Sequence, residues 1–320
     1  PGLRKAKARY YENRFGVALD PENEIITTLG SKEGLANLAS AITAPGDLVL
    51  VPNPSYPIHP YGFLIAGASV KNIKMECQES FLKNLSLKIK QYKNRVKAII
   101  INYPNNPTTD VVSLDFYKEL VNICYRNQIW ILSDLAYAEI YFDITPPPSI
   151  LQINKAKNIA VEFSSMSKTF NMPGWRIGFA CGNKVLISAL ARIKSYLDYG
   201  AFTPIQVAAT AALNGPEDCI NEIRSVYKKR RDILISSFKR AGWNFPPPDA
   251  TMFAWAPIPD RYSDKGSLYF TKLLLKKAGV AVSPGIGFGK YGDKHVRISL
   301  VENEHRIRQA ARSIKNNIKL

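Results

Sequence analysis

Over its first two-thirds the chain alternates short apolar runs with stretches of helical spacing, and this alternation narrows the folds open to it. The runs at 25–29, 48–51, 69–73, 96–102, 129–134, 159–163 and 177–180 read as strands. Between them the spacing predicts helices over 31–43, 57–66, 80–92 and 113–127, the first with Ser31 as its N-cap. Strands joined by crossover helices make an α/β unit around a mostly parallel central sheet. From about residue 215 the texture changes. A long helix is expected over 216–240, then short strands at 252–256, 280–282 and 295–300, with helices over 267–278 and 303–318. That order describes a smaller α+β unit, so the expected domains are 1–214 and 215–320.

Composition excludes several function classes. At 46% hydrophobic and 22% charged, the 320 residues can fill a core and are not those of a disordered chain. The net charge is +17, but Lys and Arg are spread along the whole length. The densest run, KKRR at 228–231, lies in a helical pattern and reads as a solvated face, not a nucleic-acid stripe. The four cysteines form no CxxC pair, and with three histidines no zinc-type spacing appears, so no metal site is expected. The first twenty residues read as charged helix, and no apolar run is long enough to span a bilayer. A cytoplasmic protein with reduced cysteines, no membrane and no nucleic-acid partner is the expectation.

The chemistry gathers after strand ends, where open sheets of this kind bind ligands. Residues 164–178, SSMSKTFNMPGWRIG, set Lys168 in a small-residue turn. A lysine that forms an imine must be partly desolvated and near cations so that its pKa falls. Arg176 supplies a cation that can also fork onto a phosphate, framed by Gly174, Trp175 and Gly178. Other pieces are ambiguous one by one. GSKEG at 30–34 is either a phosphate-binding helix start, with Ser31 and the backbone at Lys32, or ordinary capping. Tyr56 in NPSYP either stacks on a flat ring or packs as a loop aromatic. Asn106 in NYPNNPTT either donates to a phenolate oxygen or shapes a turn. Asp134, at the end of IWILSD, either pairs with a protonated ring nitrogen or serves as a cap or ion pair. Arg297 in HVRISL either clamps a carboxylate or lies exposed on a strand.

Together GSKEG, NPSYP, NYPNNPT, SDLAYAE, SSMSKTFNMPGWRIGF and HVRISL resemble, in family order, the class I aminotransferases of the fold-type-I pyridoxal phosphate superfamily. Residues 183–213 and 282–303 are similar to bacterial glutamate–pyruvate (alanine) transaminases. The resemblance implies a fold-type-I α/β structure and pyridoxal 5'-phosphate as cofactor. It implies Lys168 as the Schiff-base lysine, Asp134 at the ring nitrogen, and Tyr137 and Asn106 at the phenolic oxygen. Tyr56 would stack on the ring. Ser31, the backbone at Lys32, Ser165 and Arg176 would hold the phosphate, and Arg297 the substrate α-carboxylate. It further implies amino acid and 2-oxo acid substrates, ping-pong amino transfer and a homodimer. A carbon–sulfur β-lyase on the same fold and an inactive remnant are the alternatives. Thr109 stands where the family has glycine, so a local loop adjustment is expected. The family also carries an N-terminal part ahead of PGLRKA, and the expectation is a chain short of that segment.

Overall fold

The computed structural model describes every residue except 76, 93 and 94. Seven strands form one sheet: β1 (Ile25–Thr28), β2 (Leu48–Asn53), β3 (Ser69–Lys74), β4 (Val96–Asn102), β5 (Trp130–Asp134), β6 (Ala160–Ser165) and β7 (Gly178–Gly182). Their order is β1-β7-β6-β5-β4-β2-β3. Parallel pairing runs from β3 through β2, β4 and β5 to β6, while β7 is antiparallel to both β6 and β1. Only β7 is therefore reversed.

Strands covered on both faces should be apolar on both, and these are. Val49, Val51, Ala98 and Ile100 pack with Leu35 and Leu38 of helix Ser31–Ile42 and Leu186 and Leu190 of helix Lys184–Leu197. Their alternate neighbours Leu48, Leu50, Ile99 and Ile101 pack with Phe81, Phe116 and Leu120 from helices Gln78–Tyr92 and Leu114–Arg126. Tyr11 of the first helix, Gly2–Phe15, joins that second face. Each fully buried Val, Leu, Ile or Phe among them contributes roughly 1.5–3 kcal/mol relative to exposure.

The helix after β1 departs from expectation at its cap. Gly30, at φ 88, is the N-cap, and Ser31 is the first helical residue. The turn needs a backbone angle that glycine adopts without strain. Ser113, by contrast, does cap its helix, accepting from the Phe116 N–H.

The remaining chain builds a three-stranded antiparallel sheet, β8 (Phe253–Pro257), β9 (Ser283–Pro284) and β10 (His295–Ser299), in the order β8-β10-β9. Leu234 and Phe238 of helix Asp218–Arg240, Phe270, and Ile307 and Ile314 of helix Glu304–Asn317 form its core. Ile140 and Phe142, from the segment after β5, complete that core.

One expectation fails here and another holds only in part. Residues 280–282 are not a strand. The Val280 N–H is taken by the Leu274 carbonyl at 3.2 Å, closing the preceding helical turn, so pairing starts only at Ser283. KKRR is a solvated face only in part: Lys228 and Lys229 are exposed, but the arginines are engaged by the rest of the chain. Arg231 is buried and pairs with Asp143 at 2.7 Å, Lys228 pairs with the same carboxylate, and Arg230 donates to the Leu300 carbonyl at 3.1 Å. The run ties the long helix to the segment after β5. Among the described residues no helix is long and apolar enough to cross a membrane.

Candidate active site

The ends of β4, β5 and β6 lie side by side, so Asn102 registers with Asp134, and Asp134 with Phe163 two residues before Ser165. The single helical turn Met166–Thr169 leaves β6 and carries Lys168. Ser165 caps this turn, its Oγ accepting from the Ser167 N–H at 3.1 Å. A cavity of about 150 Å³ opens at these strand ends. Its walls include all nine residues expected around a cofactor: Ser31, Lys32, Tyr56, Asn106, Asp134, Tyr137, Ser165, Lys168 and Arg176.

Lys168 is half-buried in that cavity. Desolvation, and then the Arg176 guanidinium, lower its pKa, while Asp134 opposes the shift. Both of its charged neighbours therefore act on one amine.

Arg176 adopts a left-handed backbone at φ 52 and is braced by carbonyls, Nη1 on Pro173 at 2.8 Å and Nη2 on Leu29 at 3.3 Å. A Cβ on Gly30 would come within 2.3 Å of its Nη2, so the guanidinium lies against the start of helix Ser31–Ile42. A Cβ on Gly178 would meet the backbone of Gly30 and Ser31 at 2.8 Å. Gly178 thus permits the close approach. Gly174, expected to share that task, stands in open space, and Trp175 is exposed.

Asp134 is buried with both oxygens engaged, Oδ1 by the Ala136 N–H at 3.2 Å and Oδ2 with His59 Nε2 at 3.0 Å. The Tyr56 ring meets the His59 ring edge-on at 5.9 Å. His59 has no place in the sequence-based site. Its signal was its position one turn beyond Tyr56 at the start of a predicted helix. Asn102 was also unassigned. Its Nδ2 donates to the Asp134 carbonyl at 2.8 Å and its Oδ1 accepts from the Asn106 N–H at 2.8 Å, so it joins the two site segments.

Asn106 Nδ2 donates to the Tyr137 hydroxyl at 3.4 Å, and burial pushes that phenol's pKa up. Arg297 does not line the cavity but stands beside it. Its Nη1 donates to Asn106 Oδ1 at 2.7 Å, and its guanidinium lies 4.1 Å from the Phe253 ring centre and 4.7 Å from that of Phe288. It is not an exposed strand arginine. Its Nη2 reaches Ser283 Oγ at 3.4 Å, and its Nε is buried without a partner among the described residues, which is costly unless a ligand supplies one.

Thr109 accommodates the missing glycine by taking φ 69 itself, with its N–H bonded to the Asn105 carbonyl at 3.0 Å. The adjustment is local, as expected.

Helix-start amides, hydroxyls and arginine on one side, a buried carboxylate on another, and a desolvated amine between them describe an enzyme that works through a bound cofactor. The chain belongs to the class I and II aminotransferases, whose family model matches residues 1–314. It is similar to the putative aminotransferase AatC of Rhizobium meliloti, 60% identical over 98% of this chain and 78% of that one. It is 52% identical to the glutamate-pyruvate aminotransferase AlaC of Escherichia coli, over 98% of this chain and 76% of that one. Among solved structures, apo-BacF of Bacillus subtilis superposes with a TM-score of 0.95 at 34% identity, covering 99% of this chain and 84% of that one.

The fold is that of the fold-type-I aminotransferases, and the family's cofactor is pyridoxal phosphate. The donors present suit that group. The first turn of Ser31–Ile42 has no side-chain cap, and Ser31, Ser165 and Arg176 share its side of the site, as a phosphate requires.

Proposed function

We propose that this aminotransferase moves an amino group between an L-amino acid, alanine or glutamate, and a 2-oxo acid in two alternating half-reactions. The substrate class is supported by the 52% identity to a protein named glutamate-pyruvate aminotransferase. The observation that carries the site reading is the gathering of nine residues, from five separate stretches of chain, on one cavity around Lys168.

When bound, pyridoxal phosphate supplies an aldehyde that takes up the amino group and a ring that accepts the electrons left as Cα loses its proton. Ser31, the Lys32 amide, Ser165 and Arg176 would hold its phosphate. Asp134, oriented by His59, would keep the ring nitrogen protonated. Asn106 and Tyr137 would hold the phenolic oxygen, and Tyr56 would stack on the ring. Arg297 would receive the substrate α-carboxylate on its Nε and the guanidinium N–H groups that Asn106 and Ser283 leave over. Lys168, with its pKa lowered by desolvation and Arg176, would take the proton from Cα and deliver it to the carbon of the former aldehyde, on the other side of the nitrogen.

The proposal includes a division into 1–214, which carries the cofactor residues, and 215–320, which brings Arg297. It also includes a homodimer. Tyr196, Leu197, Tyr199 and Phe202 stand exposed within seven positions, and a second copy of the chain is the proposed cover. The test is a panel of amino donors with pyruvate or 2-oxoglutarate as acceptor. Alanine and glutamate should turn over, and only with an acceptor present. Pyruvate and ammonia released without an acceptor would replace this reading with the lyase.

A further inference from the structure

We infer that Glu139 is a positioning residue: it sets how the β8–β10 unit seats against the cofactor cavity, and so where Arg297 stands for the substrate. The inference rests on the reading of Arg297 given above.

The segment after β5 runs as a ribbon between the two cores. Tyr137 faces the cavity, while Ile140 and Phe142 enter the second core. Two backbone hydrogen bonds pin the ribbon to the residues leading into β8. The Thr251 N–H donates to the Ile140 carbonyl at 2.8 Å, and the Phe142 N–H to the Asp249 carbonyl at 2.7 Å. Glu139 sits mid-ribbon, buried, and gathers groups from both sides. From helix Gly2–Phe15 the Tyr10 hydroxyl and Arg14 Nε donate to Oε1, the latter at 3.0 Å. From helix Asp218–Arg240, Arg224 Nη2 donates to Oε2 at 3.3 Å and Arg224 Nε to the Glu139 carbonyl at 3.1 Å. The Arg224 guanidinium also lies 4.0 Å from the Tyr141 ring centre. One carboxylate thus joins two arginines, one from each unit, that would repel each other without it.

The consequence reaches the site by contact. Two residues from Glu139, the Tyr137 ring packs edge-on against Phe253 at 5.9 Å. Phe253 carries the Arg297 guanidinium, and Arg297 holds Asn106, which donates back to Tyr137. A shift of the long helix moves Phe253 and Arg297 relative to Tyr137 and Asn106. Lys168, Arg176 and the Ser31 turn are outside this ring of contacts. Loss of Glu139 should therefore weaken substrate capture while leaving cofactor binding in place.

Glu139→Gln keeps the shape and the acceptor for Tyr10 but removes the charge. The KM for the amino donor should rise roughly ten- to a hundred-fold, the scale that ångström-level misplacement costs, with a far smaller change in kcat. Cofactor affinity, titrated by absorbance, should stay within about twofold, since Lys168, Ser165, Arg176 and the Ser31 turn, the groups expected at its imine and phosphate, lie outside that ring of contacts. In the ligand-free protein, amide exchange should quicken at 137–142 and 249–256 and not in β4 or β6. Arg224→Met should reproduce the KM rise and Arg224→Lys should recover most of it. That pair carries the test if Glu139→Gln does not fold. A lowered melting temperature with KM unchanged, or cofactor affinity falling in step with KM, overturns the inference. Wild-type protein without amino transfer would instead refute the proposed function, and the exchange result would still decide whether Glu139 seats the two units.

Discussion

Replacing Arg297 with lysine separates substrate capture from cofactor binding. The native guanidinium spends Nη1 on Asn106 at 2.7 Å and Nη2 on Ser283 Oγ at 3.4 Å, lies against Phe253 and Phe288, and leaves Nε buried and unpartnered among the described residues. A lysine keeps the charge but has one compact ammonium, which cannot bond Asn106 and fork onto a carboxylate together. The loss is one charge-assisted hydrogen bond, about 1.5–3 kcal/mol. That energy corresponds to roughly ten- to a hundred-fold in kcat/KM, more at its upper end. Desolvation already lowers the Arg297 pKa, so the site gives its charge little water to fall back on. Steady-state rates over a panel of amino donors at saturating cofactor provide the assay, with an absorbance titration of cofactor beside it. Every donor should suffer, because all share the α-carboxylate, and cofactor affinity should hold. An unchanged kcat/KM for every donor would refute the clamp. Equal losses in cofactor affinity would show that Arg297 acts through the cofactor cavity instead.

Other outcomes follow from single residues. Lys7 is buried with its Nζ 4.0 Å from the Tyr10 ring centre, and desolvation lowers its pKa from 10.5 to about 8. The unfolded chain keeps that proton to higher pH, so stability should climb from pH 8 to about 10.5, where the unfolded state binds more protons. Lys7→Met should flatten that climb and raise stability near pH 7 by roughly 1–3 kcal/mol. Denaturant melts at pH 7 and 9.5 check it, and a retained slope would count against the assignment. Thr109→Gly should relieve a β-branched residue held at φ 69. The gain should be roughly 0.5–1 kcal/mol after the entropy of the added glycine, read as a raised melting temperature. No gain, or a loss, would mean the loop holds Thr109 without strain.

What is legible in the sequence depends on how far away the deciding partner lies. Strand β4 is readable to the residue because its apolar run and its bounds are both local. The cavity residues are legible because each follows a strand end or a short motif, and parallel topology brings strand ends together. His59 is not legible as a partner of Asp134, since 75 positions separate them and only the fold closes that gap. KKRR misleads in part for the same reason: Arg231 looks solvated until Asp143, 88 positions away, arrives. The strand expected at 280–282 fails on a local competition, because Leu274 claims the first amide. Ser31 looks like a cap, but the turn requires glycine's backbone one position earlier, which leaves the serine hydroxyl for the cavity.

The central claim is that Lys168 is the residue that holds the cofactor. Loading the protein with pyridoxal phosphate, reducing it with borohydride and mapping the labelled peptide by mass spectrometry tests this directly. The label should sit on Lys168 and nowhere else, and Lys168→Ala should carry none. A label on another lysine, or undiminished labelling of the Lys168→Ala protein, would contradict the account.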